Sequence, residues 1–460
     1  MSIEPTDIVV VGMGPGGEEA AEKLAEAGLH VTGVEARLVG GECPYWGCVP
    51  SKMMIRAANL LAEARRIPGM AGVATVEPDW APVAGRIRDE ATDSWNDKVA
   101  VDRFLGKGGH FVRGKGRISG LGEVTVESAD GPRVLRALRG VVIATGTEPS
   151  VPPIPGLAGT PYWTNREAIE TEQVPRSLIV LGGGAVGAEL AQVFARFGAQ
   201  VSVVEALPRL LPAEEPEASG LLARVFIREG IAVRAAVRAE HVDYDGTRFT
   251  VTLAGGETLA AERLLVATGR HATIAALGAG VYGLDTTARS IAADERMRAA
   301  DGLWAIGDVT GKGAFTHVAM YQAAIAVNDI LGRDGPRADY RAVPRVAFTD
   351  PEVGSVGLTE AQAREQGLTV RTGIAQVPSS ARGWIHKAGN DGLIKLIEDT
   401  ERGVLVGATS AGPVGGEVLG ALAVAVHGKV PVAALRAMIY AYPTFHRGIE
   451  DALRSLADLP

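Results

Sequence analysis

The chain has 460 residues, and Asp and Glu outnumber Lys and Arg, 54 against 46, for a formal charge of −8. That length suggests about three domains. The acidic balance argues against nucleic acid or an anionic membrane as partner, and no uncharged apolar run reaches the roughly 18 residues needed to span a bilayer. The two cysteines, Cys43 and Cys48, are too few for a disulfide-stapled secreted scaffold or a four-cysteine zinc site.

Met1 to Asp7 carries acids where a signal peptide has basic and then apolar residues, so a soluble, cytoplasmic chain is expected. Residues 7–36 hold an apolar run (Ile8 to Val11), a glycine turn, an amphipathic stretch, a second apolar run and Glu35. That order predicts a βαβ unit. Gly12, Gly14 and Gly17 have the spacing of a dinucleotide turn. The first glycine permits the tight turn, the second lets backbone approach a pyrophosphate, and the third lets helix pack on strand. The helix start then offers free N–H groups to phosphate, and Glu35 can accept from ribose hydroxyls.

Residues 40–52 read GGECPYWGCVPSK, with Cys43 and Cys48 where a loop enters a helix. Inert buried thiols are the ordinary fate of such residues. Here the pair is the whole cysteine complement and lies between two nucleotide units, and Cys48 sits where a helix N-terminus favours thiolate. A redox-active disulfide is the natural expectation. Further soft ligands are not evident nearby, so no metal site is expected. Residues 86–105 read as helical, with Trp95, Val99, Val101 and Phe104 as candidate buried positions. Val141 to Ile143 form a short apolar strand that ends in Ala144-Thr145-Gly146.

Residues 177–206 repeat residues 7–36 at a single offset of 170, without a gap. Gly182, Gly184 and Gly187 match the first glycines, and Glu205 matches Glu35. One such turn is a weak signal; two, each with its acid and in full βαβ context, point to two bound dinucleotides. Residues 230–263 alternate strand-like stretches with Asp-Gly and Gly-Gly turns, as in a β-meander. Leu264 to Ala267 then lead into Thr268-Gly269-Arg270, an echo of the Ala144–Gly146 segment. From about Arg341 the pattern changes to strands (Arg345–Phe348, Leu393–Glu398, Val404–Ser410) and apolar helices (Gly416–His427, Val432–Ile439), with no nucleotide turn.

Taken together, the first turn, the Cys43–Cys48 motif with Pro50-Ser51-Lys52, both Ala-Thr-Gly segments, the second turn, Ala305-Ile306-Gly307-Asp308 and Phe348-Thr349-Asp350-Pro351-Glu352 resemble the flavoprotein disulfide reductases of the pyridine-nucleotide type. The likeness covers essentially the whole chain. It implies an α/β fold with two Rossmann-like dinucleotide-binding domains and a C-terminal α+β dimerisation domain. The implied domains are FAD-binding in residues 1–150 and 272–340, NAD(P)-binding in 151–271, and an interface domain in 341–460. It implies FAD at Gly12, Gly14, Gly17 and Glu35, with Thr145, Gly146, Gly269 and Asp308 also lining cofactor. A nicotinamide nucleotide would lie at Gly182, Gly184 and Gly187. Cys48 would be the thiol beside the flavin and Cys43 the interchange thiol. Lys52 and Glu189 would pair near the flavin's reactive nitrogen. His317 would stand by the cofactor, or serve only as a helix-start residue. The resemblance further implies a homodimer and a small-molecule electron acceptor. Glu205 near the adenosine ribose attracts a 2′-hydroxyl and repels a 2′-phosphate, which favours NADH; Arg209 is the counter-argument for NADPH.

The sequence departs from such relatives at the usual His-Pro-Thr segment. Tyr442 takes the His position and Arg447 the place of the Glu three residues after the Thr. A free Tyr titrates near ~10, too high for a ready general base. His446 and Glu450, four residues apart, offer either a displaced dyad or a helix-surface histidine. By resemblance, Tyr442 and His446 of a second subunit would complete each site. Mercuric reductases also carry Tyr there but add a C-terminal cysteine pair, and the closing residues 456–460 hold none. Glu42 replaces a usual Thr, and Tyr45-Trp46 stand between the cysteines, as a stacking surface for a planar acceptor or as local core. The expected reaction is electron transfer from NAD(P)H through FAD to Cys43–Cys48 and on to a small disulfide. The alternatives are a quinone reductase or diaphorase, and a low-turnover flavin redox sensor.

Overall fold

The computed structural model describes residues 3–456, so the expectations for Met1, Ser2 and residues 457–460 lie outside the described residues. The chain forms two compact units. One holds the residues up to Pro50, Gly85–Ser150 and Arg270–Tyr340; the other holds Ser51–Ala84, Val151–Gly269 and the residues from Arg341.

The first unit is built on an eight-stranded sheet. Strand Ile3–Val11 lies between Gly131–Ile143 and Val31–Glu35, parallel to both, and His110–Arg113 follows on the outer side of Val31–Glu35. Leu303–Ala305 runs parallel along the other side of Gly131–Ile143. Such central strands are covered on both faces, which is why Ile8 to Val11 read as an unbroken apolar run. On one face Ile8, Val10 and Val142 pack with Ala20, Ala21 and Leu24 of helix Pro15–Glu26 and Ala323 and Ala326 of helix Thr316–Ile330. On the other, Val9, Val11, Val141 and Ile143 pack with Val124, Val126 and Leu135 of the antiparallel strands Glu123–Ser128 and Gly131–Ile143.

The expected helix over residues 86–105 is interrupted. Helix Ala81–Arg86 runs into a π-turn at Ile87–Ala91, Asp93, Ser94 and Trp95 take positive φ, and a separate helix covers Lys98–Gly106. Three left-handed residues in a row break the helical register. Phe104 is fully buried as expected, but Val99 is 70% exposed because the break turns it to solvent.

In the second unit, Ala232–Ala235, Gln200–Glu205, Ser177–Leu181 and Arg263–Val266 form a parallel sheet in that order. The meander is the antiparallel sheet Ala239–Tyr244, Phe249–Leu253 and Thr258–Ala261. A five-stranded antiparallel sheet carries Pro344–Ala347, Glu352–Gly357, Val404–Gly412, Leu393–Asp399 and Val370–Gln376. Helix Gly415–His427 lays Leu419, Leu422 and Val426 on its core with Leu396 and Leu405. The strands Glu352–Gly357 and Val370–Gln376 escaped the sequence pattern, since Gly, Ser and Thr interrupt their apolar residues.

An ion cluster around the buried Lys395 ties this unit together. The Lys395 ammonium, on strand Leu393–Asp399, donates to Glu215 (2.9 Å) and Glu217 (2.8 Å) at the start of helix Pro216–Arg228 and lies 2.9 Å from Glu360. Burial pulls the lysine towards the neutral form, but the three carboxylates outweigh it and hold the ammonium charged.

Candidate active site

The two glycine turns share the same close approach of helix to strand. A Cβ on Gly17 would sit 2.0 Å from the Gly12 carbonyl oxygen, and one on Gly187 would sit 2.0 Å from that of Gly182. Only glycine lets helix and strand approach this closely. Glu35 accepts from the Met13 N–H (2.8 Å) and the Arg37 N–H (2.7 Å); Glu205 accepts from the Gly183 N–H and the Leu207 N–H, both at 2.7 Å. Each acid braces its turn and keeps lone pairs for further donors.

Gly14 and Gly184 need glycine for a different reason. Their backbones are ordinary for any residue (φ −69° and −70°), and nothing lies within 4 Å of an added Cβ. Neither folding strain nor protein packing calls for glycine there. Each caps a helix start that has no side-chain cap, leaving N–H groups to be satisfied from outside. An open cradle of this kind fits a pyrophosphate, so the residues present fit both FAD and a nicotinamide dinucleotide.

The first unit gathers the redox loop onto the first of these turns. The Gly40 N–H donates to the Met13 carbonyl (2.7 Å), and a Cβ on Gly41 would lie 2.9 Å from Gly14 Cα. Ala144 abuts Gly12, and Ala319 of helix Thr316–Ile330 abuts Gly16. Thr145 and Gly146 (φ +65°) follow strand Gly131–Ile143. Cys43 lies in the short helix Glu42–Tyr45, while Cys48 opens helix Cys48–Arg65. Both are free thiols, Cys48 exposed and Cys43 half-buried. The two are hydrogen-bonded to each other. Thr316 Oγ1 lies 3.5 Å from Cys48 Sγ and is also bonded to Cys43. The Cys48 contact, followed by burial, pushes the Cys43 thiol well up, and the Thr316 hydroxyl opposes that shift.

Asp308 follows Gly307 in the same unit and accepts from Thr147 Oγ1 (2.9 Å). Burial pushes its carboxyl up. Arg270 donates to Thr147 Oγ1 (2.9 Å) and to the Thr147 carbonyl (2.7 Å), and lies 3.8 Å from Glu42. Tyr45 is buried and pushed up to about 12 by burial, then by the carboxylates of Asp97 and Glu18, so it is local core. Trp46 is half-buried, its ring centre 5.9 Å from that of Tyr45. The His317 ring stacks on Phe315 at 5.2 Å.

In the second unit Lys52 Nζ donates to Glu189 Oε2 (2.9 Å) and lies 4.7 Å from the Phe348 ring centre. The other Glu189 oxygen accepts from the Phe348 N–H (2.8 Å). Gly269 (φ +118°) follows strand Arg263–Val266, and Ala267 abuts Gly182. Arg209 is turned inward, donating to the carbonyls of Pro212 (3.0 Å) and Glu214 (3.3 Å). Tyr442 is 68% exposed, with the Arg447 guanidinium 5.2 Å from its ring centre. The displaced His446–Glu450 dyad does not form within the chain. Glu450 pairs with Arg447 (3.1 Å) and with Arg454, while His446 Nε2 lies 3.5 Å from Thr444 Oγ1. The nearer arginines outcompete an imidazole for the carboxylate.

Sequence reasoning missed Thr316, Thr147 and the Phe348 amide. Thr316 was within reach, one residue before His317 at a helix start; the other two acquire their contacts only through the fold.

The sequence matches the pyridine nucleotide-disulphide oxidoreductase family over residues 6–323 and that family's dimerisation domain over residues 343–453. It is 35% identical to dihydrolipoyl dehydrogenase of Chlorobaculum tepidum, covering 97% of this chain and 96% of the relative. It is 32% identical to mercuric reductase of Shewanella putrefaciens, covering 96% of this chain and 80% of the relative. Among solved structures, the Cu(II) complex of the HOCl-induced flavoprotein disulfide reductase RclA from Escherichia coli superposes with a TM-score of 0.86 at 25% identity, over 98% of this chain and 99% of that one. LpdA from Mycobacterium tuberculosis gives a TM-score of 0.86 at 27% identity, over 99% and 100%. With two matched glycine turns, a hydrogen-bonded cysteine pair beside the first of them and a dimerisation domain, the chain belongs to the pyridine nucleotide-disulphide oxidoreductase family.

Proposed function

We propose that this oxidoreductase passes an electron pair from NADH to Cys43–Cys48 and on to a small disulfide. The observation that carries this reading is the hydrogen-bonded thiol pair on a loop whose backbone abuts the first glycine turn. FAD, when bound, relays the electron pair from nicotinamide to the cysteines. Gly12, Gly14, Gly17, Glu35, Thr145, Gly146 and Asp308 would hold it, within residues 1–150 and 272–340. Gly182, Gly184, Gly187, Glu205 and Gly269 would hold the nicotinamide nucleotide, within residues 151–271. Lys52, fixed by Glu189 and Phe348, would present its charge to the flavin, and His317 would stay a structural residue on Phe315. NADH is preferred because Glu205 faces its turn and Arg209 is committed to backbone carbonyls. The protein works as a cytoplasmic homodimer joined through residues 341–460, with Tyr442 and His446 of each subunit near the other's cysteines.

Two electrons open the Cys43–Cys48 bond. The Cys43 sulfur then bonds one sulfur of the acceptor, and Cys48 closes the disulfide again by displacing it. A quinone acceptor is the second reading, favoured by Tyr442 in the place of a base. No helix among the described residues is long and apolar enough to cross a membrane.

The test is a thiol count on the anaerobic holoenzyme before and after NADH. Two additional reactive thiols per chain are expected, and none in C48S. An unchanged count in the wild type would take the cysteines out of the electron path. kcat/KM for NADH should exceed that for NADPH by about tenfold or more, the scale of one lost charge-assisted contact.

A further inference from the structure

We propose that Thr316 is a catalytic residue of the cysteine pair, its hydroxyl donating to whichever sulfur carries the negative charge. This rests on the reading of Cys43–Cys48 as the electron carrier and extends it to how the pair works beside a Tyr442 that is a poor base.

Three observations converge. The Thr316 hydroxyl reaches both sulfurs, at 3.5 Å from Cys48 Sγ and in a hydrogen bond with Cys43. A threonine has one proton to donate, so it serves one sulfur at a time and can follow the charge from one to the other. Thr316 is also the first residue of a 15-residue helix whose cap, Phe315, supplies no side-chain bond. Cys48 is the first residue of an 18-residue helix. Two helix N-termini thus present N–H groups and positive dipole ends to the same pair, a setting that favours thiolate. Finally, His446 is engaged by Thr444, and Glu450 by two arginines, so this segment offers no oriented imidazole.

The chemistry balances without an outside base. Two electrons from NADH break the Cys43–Cys48 bond; one sulfur takes a proton from solvent and the other stays thiolate, accepting from Thr316. Cys43 passes its proton to the adjacent Cys48 sulfur and attacks the acceptor disulfide. One acceptor sulfur bonds to Cys43, and the other leaves as thiolate and is protonated by solvent. Cys48 then gives up its proton to solvent and its sulfur attacks Cys43. The second acceptor thiolate leaves and takes a proton, and the Cys43–Cys48 bond re-forms. NADH and one proton are consumed, and two acceptor thiols are released. The acceptors that suit such a site are disulfides whose thiols leave easily at neutral pH, because no imidazolium protonates them.

The experiment is the rate of iodoacetamide alkylation against pH for wild type, T316V and T316S. Holoenzyme is reduced with excess dithiothreitol and freed of it by gel filtration, so the measurement does not depend on electron relay from NADH. In T316V the alkylation midpoint should move up by about one pH unit, making the reaction about tenfold slower at neutral pH. T316S, which keeps the hydroxyl, should restore the wild-type profile. Turnover of T316V with NADH and a small disulfide should lose kcat by a similar factor, with KM for NADH unchanged. A T316V profile that overlays the wild type, or a T316S profile displaced as far as T316V, would overturn the role of Thr316. An NADH thiol count that fails in wild type while the T316V shift persists would overturn the electron-carrier reading and leave the hydroxyl's role standing.

Discussion

Asp308 sits among groups that both oppose and support its charge. Burial is the larger influence and raises its carboxyl, Thr147 and Arg270 work against it, and Glu42 adds to it. A carboxyl raised in the folded state contributes stability that is full below its unfolded value, about 3.9, and is lost as pH rises through the folded value. At neutral pH the ionised group therefore costs stability. D308N should raise the Tm of the cofactor-free protein at pH 7. The gain should shrink towards pH 4, as scanning calorimetry at a series of pH values would show. If Asp308 holds FAD as proposed, the same variant should also bind the cofactor more weakly. Residues such as Cys43, Glu35 and Glu205 were legible in the sequence because their chemistry is scarce or their spacing is patterned. Thr316 and Thr147 were not, because threonine is common and its meaning here comes from contacts that only folding creates.

The glycine turns make the element scale testable, because their glycines separate folding from binding. At Gly187 an added methyl would collide with the Gly182 carbonyl. G187A should therefore lower the urea midpoint sharply, at the overpacking cost of about 1–3 kcal/mol or more. At Gly184 the same methyl meets no protein atom, and the backbone angles suit alanine. G184A should unfold within about 0.5 kcal/mol of wild type, yet raise KM for NADH about tenfold or more by filling the pyrophosphate's space. Equal damage from both variants would mean that the second glycine serves packing after all. The βαβ units, the meander and the helix Gly415–His427 were all readable because each is a long periodic run or a dense set of turns. The broken helix before Lys98 was not, since nothing in Asp93-Ser94-Trp95 marks three left-handed residues.

At the scale of the whole molecule, the unburied apolar residues of the dimerisation domain are telling. Ile439 is 96% exposed, and Met438 and Tyr442 lie open beside it. Large apolar side chains left open like this suit an interaction site, and the match to the dimerisation domain fits a second copy as its occupant. I439E should turn a dimer into a monomer in sedimentation velocity. If Tyr442 and His446 of each subunit complete the other's site, as proposed, the same variant should also lose disulfide reduction. A monomer with full activity would show that one chain suffices. The five-stranded sheet behind that patch is joined to helix Pro216–Arg228 by Lys395. Glu215, Glu217 and Glu360 bring their oxygens within 4.8 Å of one another, close enough to clasp a metal ion, and the lysine's nitrogen stands among them. A cation that is part of the chain cannot be extracted by chelators or exchanged for a competing ion.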